Sequence, residues 1–247
     1  MEIGIQVSSL KPLLLTVSQV REAFEKMKAM GSHTVQIQWI DPAVPIPEIS
    51  RILSETGVRS VSVQDFYDTV MGNLSYYMDL NAATGGTWLC VSRIPERLKS
   101  PQGLDEYIAQ LRDLQQKLDP LGQKVCFHPV TPDYTAVPGM QAVEYLLEHM
   151  PELDVCLDLF HLSRNCGDMP GFIRKYGSRI CMVHFKDSVG ENLVPAGQGD
   201  IDWTGVIRAC EDAGVAYGFV EQERWDRDPF DCLKEAMDWA LREQNNL

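Results

Sequence analysis

Short apolar runs alternate with amphipathic stretches along the whole chain. Runs rich in Val, Ile, Leu and Cys predict strands over Glu2–Gln6, Thr34–Gln38, Val58–Gln64, Thr87–Ser92, Lys124–His128, Asp154–Asp158, Ile180–Phe185 and Tyr217–Glu223. Between them, apolar residues recurring at helical spacing predict helices near Val17–Met30, Ile46–Thr56, Phe66–Ala83, Leu104–Leu118, Gly139–His149, Pro170–Tyr176, Trp203–Ala213 and Pro229–Gln244. Several end on a glycine, as at Gly31, Gly57, Gly122 and Gly214, the usual exit from a helix through positive φ.

Strict strand–helix alternation predicts a parallel sheet. Eight such units in 247 residues fit closure into a single (β/α)8 TIM barrel, with residues 1–247 as one domain. An open doubly wound sheet is the competing fold. The absence of G-x-G-x-x-G after the first strand removes its usual nucleotide-binding form.

Composition narrows the function. Hydrophobic residues make up 45%, enough for a large core without disulfides. Asp and Glu outnumber Lys and Arg by 35 to 22, a formal charge of -13, which argues against nucleic acid as a partner. No apolar stretch approaches the roughly 20 residues that span a bilayer, and the first residues lack a basic-then-apolar leader pattern. A cytoplasmic protein with no membrane partner is expected. The seven cysteines form no C-x-x-C pair and mostly sit in apolar runs, so they read as buried thiols.

Active sites of β/α barrels lie at the carboxyl ends of the strands. There the fifth strand ends on His128, with Asp133 in the next loop, and the sixth ends on Asp158, with His161 three residues on. The seventh ends near His184, followed by Lys186 and Asp187, and the eighth at Glu221, with Glu223 beyond it. Side chains alternate along a strand, so Cys156, Met182 and Phe219 share faces with Asp158, His184 and Glu221 and would fill the layer beneath them. Converging charge in a barrel mouth is costly unless a cation compensates it. The nitrogen and oxygen donors suit one divalent metal ion, Mn²⁺, Co²⁺, Mg²⁺ or Zn²⁺. Each residue also has a plain structural role open to it. Asp158 can cap a turn, His161 can bond backbone, Glu223 can pair with Lys186 or Arg224, and Lys186 and Asp187 can be a solvated pair. Trp39, Tyr134 and Trp225 follow strands two, five and eight, where an aromatic face can stack on a sugar ring. No arginine cluster marks a phosphate pocket.

The motifs Leu157-Asp158-Leu159-Phe160-His161, His184-Phe185-Lys186-Asp187, Gly197-Gln198-Gly199-Asp200-Ile201-Asp202 and Val220-Glu221-Gln222-Glu223 occur in that order. In this the chain resembles the xylose isomerase-like TIM-barrel superfamily, sugar isomerase/epimerase branch, over nearly its whole length. The resemblance implies metal ligation by Asp158, His184 and Glu221, substrate contact by His161, and Lys186 near the substrate. A fourth ligand comes from strand five, where relatives carry a glutamate. Here His128 or Asp133 must serve, with His128 favoured because a strand end is better fixed. The missing glutamate departs from the two-glutamate acid–base scheme of epimerases in the family, and Gln38 and Gln64 stand where relatives often carry charged or imidazole groups.

The expected activity is therefore a metal-dependent sugar isomerase or epimerase on a ketose, keto-sugar or related polyol carbonyl. Glu221 or Glu223 would remove a proton to give an enediolate, and His161 would orient substrate or relay a proton. A lyase or dehydratase on a keto-sugar or inosose-like keto-cyclitol is the alternative, and a non-catalytic sugar-binding barrel the second. The superfamily's abasic-DNA endonucleases fit poorly with the acidic charge. The expected partner is a small-molecule sugar or cyclitol, and a homodimer or tetramer is a possible assembly.

Overall fold

The computed structural model describes residues 1–247. Eight parallel strands close into a barrel: β1 (Glu2–Gln6), β2 (Thr34–Ile37), β3 (Arg59–Phe66), β4 (Trp88–Ser92), β5 (Lys124–His128), β6 (Asp154–Asp158), β7 (Ile180–Phe185) and β10 (Tyr217–Val220). Each pairs with its sequence neighbour in the barrel, and β10 closes the ring on β1 through Glu2↔Tyr217 to Ile5↔Val220. A short antiparallel hairpin, β8 (Asp187–Val189) and β9 (Asn192–Val194), rises from the rim after β7 and was not foreseen in the apolar pattern.

The predicted helices are present with shifted ends. The third breaks in two, Tyr67–Gly72 and Leu74–Ala83, because Asn73 leaves helical backbone at φ -146, ψ 50. A 3-10 turn over Val7–Leu13 follows β1, where no element was expected. The helix-ending glycines behave as their sequence positions predict: Gly57 takes φ 68 and returns its N–H to the Leu53 carbonyl.

Two cores result. The larger packs the helices against the outside of the barrel and includes Phe24, Ile52, Leu111, Leu146 and Ile173. The smaller lies within the barrel, where Cys90, Cys126, Cys156, Met182 and Phe219 come from successive strands. This is the layer expected from strand alternation, and it forms a floor under the rim residues two positions later. On the β1–β3 side the interior is polar: Gln6 donates from Nε2 to Gln36 Oε1 at 2.8 Å, and Gln36 Nε2 donates to Ser62 Oγ at 3.2 Å. Five cysteines are buried and two partly so, all free. No helix is long and apolar enough to cross a membrane.

Candidate active site

The ends of β5, β6 and β7 and the residue after β10 place His128, Asp158, His184 and Glu221 around one point. Register explains the convergence, since Ser92 pairs with His128 and Asp158 with His184 across adjacent strands. Ligand atoms of Asp158, His184 and Glu221 all lie within 4.8 Å of one another. His184 Nδ1 is 2.9 Å from Glu221 Oε2 and 3.2 Å from His128 Nε2, and His128 Nε2 is 3.8 Å from Asp158 Oδ2.

The surrounding hydrogen bonds decide what these atoms present. Gln36 Oε1 lies 2.6 Å from His184 Nε2 and can only accept, which puts the His184 proton on Nε2 and turns the Nδ1 lone pair toward the cluster. Ser92 Oγ lies 3.1 Å from His128 Nδ1, leaving His128 Nε2 toward the same point. Asp158 uses Oδ1 to accept from the Phe160 and His161 N–H groups, so its capping role is real. Its Oδ2 has no hydrogen-bond partner. Glu221 Oε1 accepts from Ser8 Oγ at 3.1 Å, and its Oε2 is likewise unpartnered. The His184 Nδ1 lone pair, His128 Nε2 and two orphaned carboxylate oxygens thus face one another in a buried place. Such an arrangement is unfavourable without a cation at its centre, and the donor set fits a divalent one.

The wider site continues this electrostatic pattern. Burial opposes the charge on Asp158, but His161, His128 and Lys186 outweigh it and hold the carboxyl below its ordinary range. Burial also opposes the Lys186 charge, yet Glu221, Glu223 and Asp158 together keep the ammonium above its usual value. Lys186 Nζ donates to Glu223 Oε1 at 2.6 Å. Burial, then the neighbouring Glu221 charge, raises Glu223 to about 7, and its Oε2 has no partner. Burial lowers His161 to about 4, so its ring is neutral, with Nδ1 2.8 Å from Thr131 Oγ1 and Nε2 3.6 Å from Asp158 Oδ2.

Above the cluster lies a cavity of about 280 Å³ lined by Trp39, His128, Asp158, His161, Lys186, Glu221 and Glu223, among others. His184 sits fully buried beneath it. Three residues expected at the site are elsewhere. Asp133 is buried under the β4–β5 loops, where its carboxylate accepts from Ile94 N at 3.1 Å and Val130 N at 2.9 Å; it holds backbone and does not reach the cluster. Tyr134 is buried outside the cavity lining. Trp225 donates from Nε1 to the Ser9 carbonyl at 3.0 Å and borders a separate groove beside β9. Cys156 lies closer to the cluster than expected, with Sγ 3.1 Å from His184 Nε2, but burial raises its thiol to about 11 and keeps it protonated.

Asp187 is structural. It is fully buried and gathers the loop 197–203, accepting from Gly197 N, Gly199 N, Ile201 N and Trp203 Nε1 at 2.9–3.3 Å. A Cβ on Gly199 would lie 2.1 Å from Asp187 Oδ1, which accounts for a glycine there. Gln36, Ser8, Ser92 and Arg93 complete the site and had not been singled out. A glutamine inside the apolar run of β2 was the available signal for the first.

Fold and site define a β/α barrel whose carboxyl-end mouth gathers imidazoles, carboxylates and a lysine. The sequence profile described as xylose isomerase-like TIM barrel matches residues 24–243, and the chain belongs to that family. No curated protein sequence matches it significantly. Among solved structures it is similar to a sugar phosphate isomerase/epimerase from Parabacteroides distasonis, with TM-score 0.80 and 14% identity over 96% of this chain and 92% of the other. An IolI protein with a binding zinc atom aligns with TM-score 0.75 and 14% identity, covering 99% and 96%. The 3-keto-D-glucoside 4-epimerase YcjR from E. coli aligns with TM-score 0.72 and 18% identity, covering 98% and 99%. At these identities the likeness establishes the fold.

Proposed function

We propose that the protein is a divalent-metal-dependent isomerase or epimerase of an unphosphorylated keto sugar or related polyol carbonyl, working by proton transfer through an enediolate. One observation carries the reading: the unpartnered oxygens Asp158 Oδ2 and Glu221 Oε2 meet the lone pair of His184 Nδ1 and the ring nitrogen His128 Nε2 at one buried point. Asp158, His184, Glu221 and His128 would hold the ion. When bound, the ion supplies Lewis acidity that acidifies the C–H next to a carbonyl.

The chain's own groups do the rest. Glu223 Oε2 faces no donor and is the group free to take the proton, with Glu221 committed to the cluster. Lys186 fixes the other Glu223 oxygen and sets the direction of Oε2. His161, neutral and anchored on Thr131, is placed to orient a hydroxyl or pass a proton. Return of the proton to the neighbouring carbon isomerises; return from the opposite face epimerises.

A second reading is dehydration of a keto sugar or keto-cyclitol. It is favoured by the strand-five position, where His128 replaces the carboxylate that would oppose Glu223. A single acid–base group suffices: Glu223 takes the α-proton and, now protonated, gives it to the β-hydroxyl, which leaves as water, while neutral His161 orients that hydroxyl. Metal analysis tests the shared premise. Wild type is expected to bind about one equivalent of a divalent ion, and His184→Ala and Asp158→Ala to lose it; equal content in all three proteins removes the proposed centre.

A further inference from the structure

A second cavity of about 270 Å³ adjoins the catalytic one on the β2–β3 side, and the two share Gln38, Trp39 and Gln64 as lining. Its other walls include Leu15, Ile40, Tyr76, Tyr77 and Leu80. The acid–base groups all stand on β5 to β10, so proton transfer uses none of these walls.

The compartment is built and held open. Trp39 has φ 60, a left-handed conformation that a bulky aromatic residue adopts only when its surroundings enforce it. Its ring is held by Asp65, 6% exposed, which accepts from Trp39 Nε1 at 3.4 Å, Tyr77 Oη at 2.7 Å and Phe66 N at 2.7 Å, and by Lys11 Nζ 4.4 Å over the ring. One carboxylate therefore fixes two aromatic walls. At the junction Gln64 donates from Nε2 to Gln38 Oε1 at 3.3 Å, while Gln64 Oε1, buried, has no partner. A buried acceptor left unpaired is unfavourable unless a ligand donor meets it. Leu15 stays 51% exposed at the edge, as an apolar lip suited to a ligand.

Two adjoining spaces of nearly equal volume, the first sized for one sugar ring, suit a substrate of two rings. Aromatic walls recognise the apolar face of a ring, and Gln64 Oε1 accepts from a hydroxyl near the linkage. We propose that the substrate is a keto-glycoside, whose reacting ring lies over Asp158, His184 and Glu221 and whose second ring occupies the compartment between Trp39 and Tyr76. This rests on the proton-transfer reading above and adds the class of substrate.

The test compares solvent-deuterium incorporation by the metal-loaded protein into keto-glucose and its methyl, phenyl and glucosyl glycosides, with calorimetric binding of the unreactive phenyl glucoside alongside. The ring-bearing glycosides are expected to exceed the methyl glycoside in kcat/KM by at least about tenfold, the range one apolar group contributes in a pocket. Whichever of phenyl and glucosyl is preferred identifies the ring. Tyr76→Ala and, from an exposed position on the wall, Thr69→Trp are each expected to collapse that ratio. Equal kcat/KM for all probes overturns the inference while the proton-transfer chemistry stands. Should no probe exchange deuterium, the chemistry fails, and calorimetry decides the compartment alone: phenyl glucoside bound more tightly by wild type than by Tyr76→Ala supports it, and equal affinity overturns it.

Discussion

Gln36→Met removes one acceptor from β2 and keeps the side chain's length. In the native site Gln36 Oε1 receives the His184 proton at 2.6 Å and the Gln6 amide at 2.8 Å. His184 is fully buried, so its Nε2–H would lose its only strong acceptor, with the Cys156 sulfur at 3.1 Å a weak replacement. Leaving a buried donor unsatisfied costs about 1–3 kcal/mol. The imidazole can avoid that cost by moving its proton to Nδ1, which takes away the lone pair the cluster presents to a cation. Partners that orient a metal-bound imidazole are typically worth about 10–100-fold in affinity. Metal affinity of the variant, measured by competition with a chromophoric chelator, is expected to fall by about that factor, while circular dichroism shows an intact fold. An affinity within about twofold of wild type would refute the assignment of the His184 tautomer, since that assignment requires a cost well above 0.4 kcal/mol.

Three further outcomes are expected. Glu223→Gln should lower turnover by about 10²–10⁴-fold, the usual worth of a general base, with metal content unchanged, whereas Glu221→Gln should lose metal; assays of both quantities on both variants separate the roles. Burial raises Asp133 to about 6 from 3.8, so the folded state holds its proton more tightly than the unfolded chain does. Its contribution to stability is full below about pH 4 and is lost as pH rises toward 6; two units amount to about 3 kcal/mol. Denaturant titrations of Asp133→Asn should therefore gain on wild type by about that amount between pH 4 and pH 7, and parallel pH profiles would show that the carboxyl titrates normally. Asp187→Asn should destabilise the protein by about 3 kcal/mol, because whichever oxygen the amide NH2 replaces, it meets donors: Gly197 N, Gly199 N and Trp203 Nε1 on the Oδ2 side, or Ser188 N and Ile201 N on the Oδ1 side; thermal unfolding within 1 °C or so of wild type would contradict it.

The barrel was legible because the strand runs carry their own periodicity. All eight strands lie where the apolar runs predict, and Cys156, Met182 and Phe219 form the floor implied by alternation beneath Asp158, His184 and Glu221. What escaped was set by tertiary contact. The β8–β9 hairpin is a rim excursion of three-residue strands, too short for a pattern. In the sequence His128 is favoured over Asp133 only because a strand end is better fixed than a loop, and it is the loop geometry that shows the carboxylate turned onto Ile94 and Val130. Tyr134 and Trp225 follow strands correctly but point their rings into packing or toward Ser9. Conversely Gln36 stood in an apolar run facing inward, and its importance depended on its contact with a histidine 148 positions away.

On the proposed function, this mouth enolises a keto sugar with the help of a divalent ion. The most direct test is deuterium incorporation from D₂O at the carbon next to the carbonyl, followed across keto sugars and keto-cyclitols with chelator-stripped and metal-restored protein. Exchange is expected to require both added metal and Glu223. Exchange that persists after stripping, or its absence from every carbonyl compound with metal bound, contradicts it.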